Sequence, residues 1–214
     1  MVNPACHNGR DYDQGQVGLW TRWQGALDAP LMVVGQDWGG VDTLERDDGW
    51  EPHPFPTNDA LVDLLAAAGL AVGQPPQKRR GGVVPQDQSV FFTNAVLCLK
   101  AGGATAKLPP GVVGRCGSFL LGTIRIVRPK VVVTLGKHAF RSVVEGCGDA
   151  LPPELRRVNK MATAAALQFD PPEIMPGTRL FPAYHCGTRG RNKRNGRVLD
   201  RQIEDWKRLR RWLP

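Results

Sequence analysis

Four short apolar runs constrain this chain more than any other feature. They are residues 30–35 (PLMVVG), 89–94 (SVFFTN), 130–136 (KVVVTLG) and 179–184 (RLFPAY). Each is continuous rather than alternating, the pattern of a strand covered on both faces. Helical patterns separate them. Residues 59–70 (DALVDLLAAAGL) place apolar side chains at helical spacing, with Thr57 or Asn58 as N-cap and Gly69 as stop. Residues 116–127, 139–144 and 199–212 read as further helices, the last of them basic. Strand–helix alternation of this kind predicts an α/β fold: a three-layer sandwich with a central, mostly parallel, four-stranded sheet flanked by helices.

In such sheets ligands sit beyond the carboxyl ends of the strands. That rule selects four strand tips: Gly35-Gln36-Asp37-Trp38-Gly39, Thr93-Asn94-Ala95-Val96, Gly136-Lys137-His138 and Tyr184-His185-Cys186-Gly187. Asp37 stands between glycines, where a carboxylate can polarise a water or stabilise a cation, or simply cap a turn. Asn94 can offer a donor and an acceptor to the edge of a flat heterocycle, or serve as a structural strand end. His185 can donate to a developing oxyanion, or be structural.

The charge is unevenly spread. Lys and Arg total 28 against 20 Asp and Glu, a formal +8. Residues 185–214 hold ten of the basic residues and three of the acidic ones, so seven of those eight charges lie in the last thirty residues. A field so concentrated suits a polyanion, although a solvated basic helix face would look the same. The length fits one domain over residues 1–214, with a basic loop and terminal helix within 187–214. Five cysteines are too few for a disulfide scaffold. Neither a membrane-spanning run nor a signal-like opening stretch is present, so a cytoplasmic monomer without membrane contact is expected.

Taken together, the tips resemble the uracil-DNA glycosylase superfamily, with a layout closest to family 4. Gly35-Gln36-Asp37 is similar to the start of the family 1 water-activating loop, and its spacing to Gly39 resembles the family 4 loop. Pro54-Phe55-Pro56-Thr57-Asn58 and the helix after it resemble the family 4 segment whose aromatic stacks on the base, which points to Phe55. Phe92 to Cys98 resembles the motif whose Asn reads the base, here Asn94. The stretch 116–136 is similar to the family 4 helix and strand, and Ala183-Tyr184-His185 to the motif of the final strand. The resemblance covers roughly residues 28–210, with the elements in family order.

It implies a DNA repair enzyme that flips uracil out of single- or double-stranded DNA and hydrolyses its N-glycosidic bond. Asp37 and His185 would be catalytic, and Gln36, Phe55 and Asn94 base-binding. Arg189, Arg191, Lys193 and Arg194 would contact DNA. The alternative is a non-catalytic DNA-binding member of the same fold. An unrelated Asp–His hydrolase lacks a nucleophile elbow, and a zinc protein lacks paired cysteines.

The chain also departs from the pattern. Cys186 replaces the usual Pro after the histidine, Trp38 the Pro of the first loop, and Gly39 the thymine-excluding Tyr of family 1. The 187–196 loop shows no evident Leu wedge. Family 4 carries a four-cysteine iron–sulfur cluster. Cys6, Cys98 and Cys116 fall near three of the ligand positions, but Gly9 stands at the fourth. His7 or Asp11 could substitute there. The preferred expectation is buried thiols and no cluster, with no cofactor or metal required for the chemistry.

Overall fold

The computed structural model describes residues 25–37, 39, 40, 42, 56–72, 89–97, 100–102, 107, 108, 111–148, 151–191 and 197–214. The four apolar runs form β1 (Leu31–Asp37), β2 (Val90–Val96), β3 (Val131–Leu135) and β5 (Thr178–Ala183). All four pair in parallel, and β4 (Glu173–Met175) adds an antiparallel edge. The order is β2-β1-β3-β5-β4, so the sheet has five strands where the sequence predicts four. The extra strand is three residues long and buries only Ile174, too little to leave an apolar run in the sequence.

Helices fill the connections: α1 (Pro56–Ala67), α2 (Val112–Val127), α3 (Gly136–Cys147), α4 (Pro153–Arg157), α5 (Met161–Ala166) and α6 (Leu199–Trp206). Helix α1 begins at Pro56, so Thr57 and Asn58 lie in its first turn rather than capping it. Proline suits that position because its missing N–H would have no helical partner. The terminal helix stops at Trp206 and tightens into a 3-10 turn over Lys207–Arg211.

The period of two along each strand sends alternate residues to opposite faces. Leu31, Val33, Val90, Phe92, Val131, Val133 and Phe181 pack with Leu61, Leu64 and Leu65 of α1 and Trp206 of α6. Met32, Val34, Phe91, Val132 and Leu180 pack with Leu120 and Ile124 of α2 and Phe140 and Val143 of α3. These are the three predicted layers. Each fully buried Leu or Phe contributes about 1.5–3 kcal/mol by leaving water. No helix among the described residues is long and apolar enough to cross a membrane.

The basic terminal segment is partly occupied internally. Buried Asp205 pairs with Arg197 and with Arg208 at 2.5 Å, Arg208 covers the Phe169 ring, and Arg210 donates to the Ala67 carbonyl at the end of α1.

Candidate functional site

Parallel pairing brings the tips of β1, β2, β3 and β5 to one edge of the sheet. Gly35 stands directly opposite Asn94 in the β1–β2 register. The Asn94 side chain is buried and crosses over Gly35, so that a Cβ there would sit 2.2 Å from Asn94 Oδ1. Glycine at 35 is therefore a space requirement.

Two residues on, Asp37 is held from three sides. Its Oδ1 accepts the Gly39 N–H at 2.8 Å. Its Oδ2 accepts Gln36 Nε2 at 2.7 Å and Lys100 Nζ at 3.2 Å. The side chains of Lys100 and Asp37 are 3% and 7% exposed. A carboxylate offers about four acceptor positions, so these three donors among the described residues fix its orientation. Lys100 arrives through the backbone. The Lys100 N–H donates to the Gly39 carbonyl at 3.3 Å, and Gly40 and Lys100 form an isolated parallel bridge beyond the two strands.

His185 follows β5 and is crowded by glycines. A Cβ at Gly136, whose φ is +85°, would meet His185 Cβ at 3.2 Å. One at Gly187 would lie 2.9 Å from the imidazole and 2.6 Å from Thr57 Oγ1. One at Gly190 would lie 1.7 Å from the His185 carbonyl. The Gly187 N–H donates to His185 Nδ1 at 2.9 Å. A nitrogen that accepts carries no proton, so the neutral ring holds its proton on Nε2. Burial pushes the His185 pKa below its ordinary 6.5, and the charge of Asp37 opposes that shift. The two residues, from different strands, thus lie within electrostatic reach of each other.

This shift makes stability depend on pH. The unfolded chain binds a proton at His185 near 6.5, while the folded chain binds it only at lower pH. Acid therefore favours unfolding. The penalty is absent well above 6.5, grows as pH falls through 6.5, and levels off below the folded value. Between about pH 7.5 and 5.5, urea midpoints should fall more steeply for the wild type than for His185→Gln. Parallel slopes would contradict a desolvated neutral imidazole.

Cys186 has a structural role. Its buried thiol donates to the Thr57 carbonyl at 3.4 Å, tying the end of β5 to the first turn of α1. Burial pushes its pKa up to about 12, which leaves no thiolate for a Cys–His dyad at neutral pH.

Gln36 donates one side-chain N–H to Asp37. Arg189 is exposed and Arg191 half-buried beside Cys186. Phe55, Lys193 and Arg194 lie outside the described residues, as do Cys6 and Cys98. Cys116 is buried on α2. Of the five cysteines, the three that fall near the family 4 ligand positions are one short of a four-thiolate donor set. Lys100, Thr57 and Gly190 are absent from the sequence-based site.

The chain matches the uracil DNA glycosylase superfamily over residues 23–210. It is 26% identical over 172 residues to a type-4 uracil-DNA glycosylase of Thermotoga maritima, covering 80% of this chain and 72% of that one. It is 26% identical over 188 residues to a type-4 uracil-DNA glycosylase of Sulfurisphaera tokodaii, covering 87% and 71%. A type-5 uracil-DNA glycosylase of Pyrobaculum aerophilum is 29% identical over 178 residues, covering 78% and 67%.

Proposed function

This chain belongs to the uracil-DNA glycosylase superfamily, and from that premise we propose that it flips uracil out of DNA and hydrolyses the bond between base and sugar. The observation that supports the reading is that parallel pairing carries Asp37 and His185, from separate strands, to one sheet edge within electrostatic reach of each other, with the imidazole proton held on Nε2.

The chemistry follows from the groups present. Extruding uracil costs a few kcal/mol, least where the base is poorly paired. Arg189 and Arg191, with Lys193 and Arg194, supply cations for the phosphates flanking the lesion. Phe55 stacks on the extruded base. Asn94 donates to O4 and accepts from N3–H of uracil. Cytosine reverses both groups, so it is rejected at the same edge. As the glycosidic bond lengthens, negative charge grows on uracil O2 and positive charge on the sugar ring. His185 Nε2–H, with the backbone N–H of Gln36, stabilises the first. Asp37 stabilises the second and orients a water. That water adds to C1′ and gives up a proton, the departing uracil anion takes up a proton, and the products are the free base and an abasic site.

The test uses the full chain and an oligonucleotide bearing one uracil, with abasic sites revealed by alkaline strand scission. Strand scission at uracil and none at cytosine is expected. Salt-dependent binding with no base release would instead establish a non-catalytic DNA-binding module.

A further inference from the structure

Lys100 is the one lysine among the described residues that is buried. An ammonium with so little exposure cannot reach a phosphate in solution. A buried lysine is costly unless it is paired, and its partner here is Asp37, at 3.1 Å from Oδ1 and 3.2 Å from Oδ2. The two are separated by 63 residues, and the Gly40–Lys100 bridge fixes the lysine backbone beside the β1 tip. Gln36 and Gly39 are neutral donors from the same loop as the acid. Among the described residues that donate to Asp37, Lys100 is the one that brings a charge from another segment.

From this arrangement we infer that Lys100 is a positioning residue for base release: it keeps Asp37 an oriented carboxylate next to a polyanion. The inference rests on the glycosylase reading. DNA phosphates raise the negative potential around the site, which disfavours a second negative charge buried there. A fixed counter-ion offsets that effect. It also holds the carboxylate plane. Lys100 touches neither base nor sugar in this scheme and acts through Asp37.

The experiment is the steady-state kinetics of uracil release by Lys100→Met and Lys100→Arg. Lys100→Met is expected to lower kcat roughly tenfold to a hundredfold, as for a misplaced catalytic group, with KM little changed. Lys100→Arg, which keeps the charge, should recover most of that loss. A merely structural lysine would lower the folded fraction and leave kcat per folded molecule unchanged, and that result overturns the inference.

Should Lys100→Met fold poorly, the Asp37→Asn/Lys100→Met double variant removes both charges. It should be no slower than Asp37→Asn alone, and a further loss of rate would also overturn the inference. A wild type that releases no uracil sinks the glycosylase reading instead. The pairing is then judged by melting: Asp37→Asn should lower the midpoint in the wild type and raise it in Lys100→Met. The same sign in both backgrounds would show that the two groups are uncoupled.

Discussion

Asp37→Asn is expected to lower uracil release by roughly 10²–10⁴-fold, the range for losing a positioned acid–base group. The substitution keeps the shape of the side chain and removes its charge. It deletes the stabilisation of the developing sugar cation and presents an amide where a water had a lone pair to bind. It also removes the charge that pairs with buried Lys100 at 3.1 Å. The melting temperature should therefore fall as well, since breaking a buried ion pair by removing one partner is destabilising. Activity is best measured well below the lowered midpoint, with the folded fraction followed by far-UV circular dichroism. If the variant is folded and fully active, the catalytic assignment of Asp37 is wrong.

Gly35→Ala should separate function from stability. The added Cβ would sit 2.2 Å from Asn94 Oδ1 and 3.8 Å from the nearest backbone atom, the Thr93 carbonyl oxygen. The strands can therefore stay in register while the amide swings aside. The expected thermal midpoint is close to the wild type. Uracil release should drop roughly 10²-fold, the usual result of moving a positioning group by about an ångström. Asn94→Ala should show a loss of similar size, and the two substitutions together should cost little more than either alone. Two losses that simply multiply would mean that Gly35 does not act through Asn94. Crowding at Gly190 is of another kind, because a Cβ there meets the His185 carbonyl at 1.7 Å and the loop itself must yield.

Much of this architecture was legible in the residues, for a physical reason. A strand covered on both faces has no polar side, so β1, β2, β3 and β5 stand out as unbroken apolar runs, and the α/β layering follows. Asp37, Asn94 and His185 were visible because parallel strands deliver their tips to one edge. The three-residue β4 was hidden, since its pairing rests on backbone groups that every sequence has. Lys100 was hidden for a different reason. Its significance depends on a partner 63 residues away, and nothing local distinguishes it from a surface lysine. The terminal helix shows the converse. Counting charges marked this terminal segment as basic, but Arg197, Arg208 and Arg210 have partners inside the fold that composition cannot reveal.

The antiparallel stub at one margin of the sheet bears on how the molecule behaves in crowded solution. An open strand margin invites another chain to add to it, which is how many sheet proteins begin to aggregate. Here the outermost strand is three residues long, Pro171 and Pro172 precede it without N–H groups, and the Glu173 carboxylate folds back onto the Gly177 N–H at 3.0 Å. An incoming strand would find too few hydrogen bonds to register against, so that flank is closed to fibrillar growth.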